Sequence, residues 1–227
     1  MYFIELISDM GKIFAQYWYQ FLVKGVGYTL LLSLIAVGAG VLFGSLLAVL
    51  RLFNIKVLNF FISAFVEVVR GTPALLQLYV GYFLLPMMIP GMNLSPFFCV
   101  AVALAVNSSA YVSEIIRSGI EAVDKGQTEA ARSLGLGRAV TMTDIVLPQA
   151  VRNILPALGN EFITVIKETS LASTFFVGEL MTVYLQIKGV VYKPMPTLMI
   201  VGVVYFVLNF TLSRLMKKFE RRLKTRA

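Results

Sequence analysis

Between Arg70 and Glu114 the chain runs through 43 residues, Gly71 to Ser113, without one charged side chain. One helix needs about 20 apolar residues to cross a hydrocarbon core about 30 Å thick, so this stretch holds more than one crossing. The segment PMMIPGMNLSP, Pro86 to Pro96, supplies the turn. Two crossings are therefore expected, from about Val57 to Leu85 and from about Phe97 to Ser118.

Further uncharged runs give two more. GVGYTLLLSLIAVGAGVLFGSLLAVL, Gly25 to Leu50, is bounded by Lys24 and Arg51, and PMPTLMIVGVVYFVLNFTLS, Pro194 to Ser213, by Lys193 and Arg214. A fifth, Ile154 to Val177, carries Glu161, Lys167 and Glu168. Only 14% of the 227 residues are charged, and the mean hydropathy of +0.81 lies outside the range of soluble domains. The expected fold class is an all-α integral membrane protein of five transmembrane helices.

Lysine and arginine in short loops are retained in the cytoplasm. With the C-terminus inside, fourteen of the twenty basic residues fall on the cytoplasmic side. These are Arg51 and Lys56, then Arg117, Lys125, Arg132, Arg138 and Arg152, then the seven from Arg214 onward. Lys12, Lys24, Lys188 and Lys193 fall outside, and Arg70 and Lys167 within spans. Five crossings then put the N-terminus outside and residues 118–152 in the cytoplasm. The leading segment lacks the basic start of a cleavable signal and is expected to remain. Residues 1–24 mix apolar positions with Glu5, Asp9, Lys12 and Gln16 and end on Tyr17-Trp18-Tyr19, which suits an interfacial helix; the alternative is a longer first span.

The net charge of +8 follows membrane topology, so lipid headgroups rather than nucleic acid are the expected partner, most of all for the basic tail 216–227. The chain has no histidine, which removes His-based zinc sites and Ser/His or Cys/His nucleophiles. The lone Cys99 reads as a packing residue.

From Arg117 to Arg152 the chain carries nine charges in 36 residues. Glu121 to Leu134 is rich in helix formers, with Glu129 and Arg132 spaced to pair and Ala130 and Leu134 forming a small apolar face. Gly135 stops this helix, a second starts near Ala139, and Pro148 suits the first turn of the next. By spacing alone, a plain connecting loop is the favoured reading.

The pattern EAA-x3-G-x9-I-x-LP is present without gaps as Glu129, Ala130, Ala131, Gly135, Ile145, Leu147 and Pro148. It resembles the signature of the membrane subunits of bacterial ABC importers. GVGYTLLLSL from Gly25, FVEVVRGTPALLQLYV from Phe65, NSSAYVSEIIRSGI from Asn107 and GNEFITVIKETSLAS from Gly159 resemble the polar amino acid permease subfamily. The similarity covers roughly residues 25–215. It implies a type I importer permease fold and a bacterial cytoplasmic-membrane location. It implies that the helix containing Glu129, Ala130, Ala131, Arg132 and Gly135 is the coupling helix that docks on an ABC ATPase. Two such ATPases, a second permease copy (the same chain or a related one), an extracytoplasmic binding protein and an amino acid substrate are the implied partners. No Walker phosphate loop occurs, so ATP and Mg belong to the ATPase and this chain is not itself an enzyme.

Ionisable groups near the bilayer centre cost about 2.5–3.5 kcal/mol on insertion scales and belong against protein or water. The candidates for a substrate path are Glu67, Arg70 and Thr72 beside Pro73, Asn107 with Ser108 and Ser109, and Asn160, Glu161, Thr164, Lys167 and Glu168 in one helical stripe. Pro73 is expected to kink or unwind its helix. The bland alternatives are two internal salt bridges, Glu67 with Arg70 and Glu114 with Arg117, and Ser, Thr and Asn groups that join helices by hydrogen bonds. Among these groups Glu67, Glu161 and Glu168 outnumber Arg70 and Lys167 by one, a lean toward cationic substrates such as arginine, lysine or histidine. Gly38, Gly40, Gly44, Ser45 and Ala48 allow close packing, within the chain or between two permeases. A secondary transporter or channel without an ATPase is the runner-up, and an intramembrane hydrolase would have only Lys167 and Ser170.

Overall fold

A computed structural model of the chain describes residues 2–89 and 91–225; Pro90 in the expected turn and Arg226 and Ala227 at the end of the basic tail lie outside the described residues. The helices are α1 (Tyr2–Tyr19), α2 (Val26–Leu52), α3 (Lys56–Gly71), α4 (Ala74–Met88) and α5 (Pro96–Glu121). They continue with α6 (Lys125–Ser133), the single turn α7 (Arg138–Val140), α8 (Leu147–Glu168), α9 (Leu180–Val191) and α10 (Pro194–Thr225). Wider π-helical turns, Gln20–Gly25 and Thr141–Val146, join α1 to α2 and α7 to α8, and a 3₁₀ segment, Thr169–Phe175, extends α8.

α5 is the central helix, with Val100, Leu104, Ala110 and Val112 buried. α2 runs parallel to it at backbone contact: a Cβ on Gly40 would lie 2.5 Å from Ser108 Oγ, and one on Gly44 2.7 Å from the Ser109 carbonyl. The small residues therefore serve packing inside the chain, while Gly38 borders open space. α4 runs antiparallel to α5, where a Cβ on Gly81 would meet Ala103 Cβ at 2.7 Å. α8 covers another face of α5, with Ile154 seated against Gly119. Cys99 is buried and free, as a packing residue should be.

Three helical stretches are long and apolar enough to cross a membrane, Phe3–Leu52, Pro96–Glu121 and Pro194–Arg222, and two bent pairs bring the number to five if each counts as one crossing. The first bent pair corrects the expectation of one crossing from Val57 to Leu85. The helix breaks at Thr72–Pro73, where a kink is expected, but by 110°. Since α4 follows the bundle axis, α3 lies across its end, burying Ile62, Val66 and Val69 at helical spacing and exposing Phe60, Phe61 and Val68.

The second pair corrects the straight span Ile154–Val177. α8 begins at Leu147, with Pro148 in its first turn, and after Phe175 the chain turns through Phe176 (φ 53°) and Gly178 (φ +89°) into α9, bent by 45°. Glu179 starts α9 by accepting hydrogen bonds from the N–H groups of Met181 (2.6 Å) and Thr182 (2.7 Å). It is fully buried and also accepts from Thr182 Oγ1 and the Tyr205 hydroxyl.

At the other terminus α1 bends at Tyr17 (φ −119°, ψ 15°) and continues into α2 without a loop. Asp9 pairs with Lys193 at 2.5 Å and Ile13 is buried in the cluster formed with Tyr184, Ile200 and Val201, so α1 rests on α10.

Candidate functional site

The polar stripe of α8 divides in two. Glu161, 8% exposed, turns inward and accepts a hydrogen bond from Ser108 Oγ on α5 at 3.3 Å. Asn160, Thr164 and Lys167, spaced i, i+4, i+7, are exposed along the helix, and Glu168 is half-buried at its end. None of Asn160, Thr164 and Lys167 makes a side-chain hydrogen bond or ion pair among the described residues. Glu161, expected on the substrate path, thus stands as a helix-to-helix contact with Ser108, apart from the exposed strip. Ser170 donates to the Lys167 carbonyl at 2.6 Å and makes no hydrogen bond with the Lys167 amine among the described residues.

At the break between α3 and α4, Pro73 has no N–H for the Val69 carbonyl. Gln77 Nε2 donates to that carbonyl instead, at 2.6 Å, and to Thr72 Oγ1 at 2.9 Å. Thr72 donates in turn to the Val68 carbonyl at 2.8 Å. Asn107 Nδ2 on α5 donates to Gln77 Oε1 at 2.9 Å. Thr72 and Asn107, expected on the substrate path, thus hold the bend, because freed backbone carbonyls bind the nearest donors. Gln77 was not singled out by the sequence; a glutamine one turn after Pro73 in an uncharged run is the signal that marks it.

The expected Glu67–Arg70 pair does not form: Glu67 is exposed and has no ion pair among the described residues. Arg70 reaches instead to Glu114 at 3.9 Å and lies over the Tyr111 ring, 5.5 Å from its centroid. The expected Glu114–Arg117 pair is present, and Arg117 also binds Glu121. Arg51 lies 3.5 Å from Glu114 and donates to Ser63 Oγ at 3.3 Å. Glu114 is the common partner of arginines from α2, α3 and α5. Sequence spacing shows only the pair on its own helix.

In the charged segment, Asp124 Oδ1 caps α6 by accepting from Gly126 N–H at 2.7 Å, which separates α6 from α5 where one helix from Glu121 is expected. α6 ends at Gly135 in the left-handed region (φ +85°), with Leu136 N–H bonded to the Ala131 carbonyl at 3.1 Å. Arg132 does not pair with Glu129; it donates to the Leu136 carbonyl at 2.9 Å and ties the turn. Ala130 and Leu134 present the expected apolar face, Leu134 being 82% exposed. Ala131, expected among the docking positions, is buried where α6 packs on the Thr141–Val146 turn.

Residues 40–225 match the family model described as binding-protein-dependent transport system inner membrane component. The chain is 38% identical over 205 residues to the arginine transport system permease protein ArtQ of Bacillus subtilis (strain 168), which spans 90% of this chain and 93% of that protein. It is 35% identical over 203 residues to the glutamine transport system permease protein GlnP of Escherichia coli (strain K12), spanning 89% and 93%. A chain in the crystal structure of an amino acid ABC transporter with histidines superposes with a TM-score of 0.87 and 44% identity over 92% of this chain and 96% of that one. The MetNI methionine ABC transporter in an inward-facing conformation shares the fold, with a TM-score of 0.73 and 21% identity over 89% and 96%.

Proposed function

This chain belongs to the family of binding-protein-dependent transport system inner membrane components and is an amino acid ABC importer permease, and from that premise we propose how its parts serve transport. Two copies of the chain face one another through the exposed polar side of α8, and Asn160, Thr164, Lys167 and Glu168 line the route of a polar amino acid. The observation that carries this reading is that strip: three polar side chains on a membrane helix with no side-chain hydrogen bond or ion pair among the described residues. A position that costly in lipid calls for water, substrate or a second polar surface.

α6 is the coupling helix, and Ala130, Leu134 and the Gly135 turn are the surface offered to an ABC ATPase. Glu129 is the polar group beside them. ATP and Mg are bound by that partner, and this chain catalyses no bond change. Two ATPases and an extracytoplasmic binding protein complete the importer. The basic end carrying Arg51, Glu114 and α6 is cytoplasmic, the N-terminus is outside, and residues 1–24 lie at the outer interface, where the bend at Tyr17 and the exposed Trp18 and Tyr19 suit headgroup depth. Five crossings follow if each bent pair is one. Relatives that handle arginine and glutamine support a polar substrate; the lean toward a basic one rests on Glu67 and Glu168 beside the path.

The test is uptake of labelled arginine, histidine and glutamine into vesicles holding the permease, its ATPase and the binding protein, with ATP inside. ATP-dependent uptake names the substrate. Uptake without an ATPase would transfer the reading to a secondary transporter.

A further inference from the structure

The polar face of α8 does not stop at Asn160. Carried on toward the basic end it presents Ala157 and then Asn153, so that Asn153, Ala157, Asn160, Thr164 and Lys167 follow one line at i, i+4, i+7, i+11 and i+14. There the line opens on a cavity of about 360 Å³ walled by Arg70, Tyr111, Glu114, Ser118 and Asn153. That volume falls at the lower end of small-molecule sites, which begin near ~300 Å³.

The charges around this cavity are unequal. Three guanidinium groups, of Arg51, Arg70 and Arg117, share the carboxylates of Glu114 and Glu121. Arg70 has the longest of these pairs, and its side chain is 43% exposed. The Tyr111 ring backs its guanidinium plane. Asn153 uses one amide hydrogen on the Gly119 carbonyl at 3.4 Å and keeps the other. The Ser118 hydroxyl donates to the Glu114 carbonyl at 2.7 Å, which leaves its lone pairs for a donor.

We propose that Arg70 and Asn153 form a release-side subsite that takes the α-carboxylate of the transported amino acid after it leaves the Asn160–Thr164–Lys167 strip, with the Ser118 oxygen accepting from its ammonium group. This rests on the reading of the α8 face as the substrate path. A guanidinium with a distant counter-charge binds a carboxylate through a planar pair of charge-assisted hydrogen bonds, whereas Lys167 on the strip offers only a point charge. Occupancy of this subsite from the cytoplasm holds the carrier loaded and slows import.

The experiment uses the complete importer in vesicles with ATP and increasing luminal amino acid: L-arginine against its decarboxylated form agmatine, or L-glutamine against 4-aminobutanamide, as the transported substrate dictates. Uptake is normalised to the rate with an empty lumen. The amino acid is expected to inhibit and the amine not to. Arg70→Gln and Asn153→Leu each raise the half-inhibiting concentration about tenfold, the loss of one charge-assisted contact, with Arg70→Lys in between. If Arg70→Gln stops uptake outright, binding of the labelled amino acid to the purified complex without binding protein makes the same comparison. Equal inhibition by the amine, or unchanged inhibition in both variants, overturns the subsite. So does inhibition that follows the phosphatidylglycerol content of the vesicles, which gives the cavity to a lipid phosphate. ATP-dependent uptake with no luminal inhibition removes the subsite alone, whereas uptake independent of ATP removes the transport reading beneath it.

Discussion

The side-chain amide of Gln77 stands 2.6 Å from the Val69 carbonyl and makes the hydrogen bond that the ring nitrogen of Pro73 cannot. A proline break thus becomes a fixed corner rather than a loose joint, since the same amide group also accepts from Asn107 on α5. Gln77→Leu leaves the Val69 carbonyl and the Asn107 amide without partners, a loss of about 1–3 kcal/mol in stability. Adding Pro73→Ala restores an N–H to Val69 but leaves the Asn107 amide unpartnered, so it is expected to recover part of the stability and none of the uptake, because the 110° corner relaxes toward a straight helix. Thermal unfolding of the purified chain together with uptake checks this; a double variant that transports normally would show that the corner has no role.

Glu179 accepts from four groups at the start of α9, and none of its own helix neighbours can replace it. Glu179→Ala should destabilise the fold by about 2–4 kcal/mol, through a lost cap and orphaned buried donors. Glu179→Gln keeps one acceptor and should lose about half as much. A denaturation midpoint unchanged in Glu179→Ala would mean that α9 is held by its apolar contacts with Phe21 and Val201 alone.

Gly135 adopts φ +85°, and a Cβ there would meet nothing within 4 Å. In the isolated subunit Gly135→Ala therefore costs only its left-handed backbone, about 1 kcal/mol. Gly135→Asp should insert into the membrane normally yet fail to retain the ATPase in a pull-down. Retention at the level of the unaltered chain would remove α6 as the docking helix.

Thr164 is exposed and makes no side-chain hydrogen bond among the described residues, so Thr164→Leu has little to disturb in the fold. Its stability should shift by no more than about 0.5 kcal/mol, the range of ordinary surface changes. Uptake should nonetheless fall about tenfold or more, as a polar contact with substrate is replaced by an apolar one. Unaltered uptake kinetics would place the route away from this face of α8.

Much of the fold was legible from local pattern. Uncharged runs marked the membrane helices, Pro73 marked a break, and Gly135 marked the end of α6, because helix length, proline and left-handed glycine act within a few residues. The candidate site was legible only in part. Asn160, Thr164 and Lys167 were visible as a stripe, but Glu161, an equal member of it by spacing, turned out to be the one held by Ser108. Glu67 and Arg70 were spaced to pair and did not, since the corner after Gly71 swings Arg70 toward Glu114.

Helix periodicity is a property of one segment, and it determined which residues share a face. What each face meets depends on the crossing angle and register of a second helix, which are set by close packing such as Gly40 against Ser108. The sequence by itself therefore determined a polyhelical membrane protein with a charged segment between its membrane helices. Only the tertiary structure decided that Gln77 holds the corner, that three arginines share Glu114, and that the polar face of α8 leads down to Arg70.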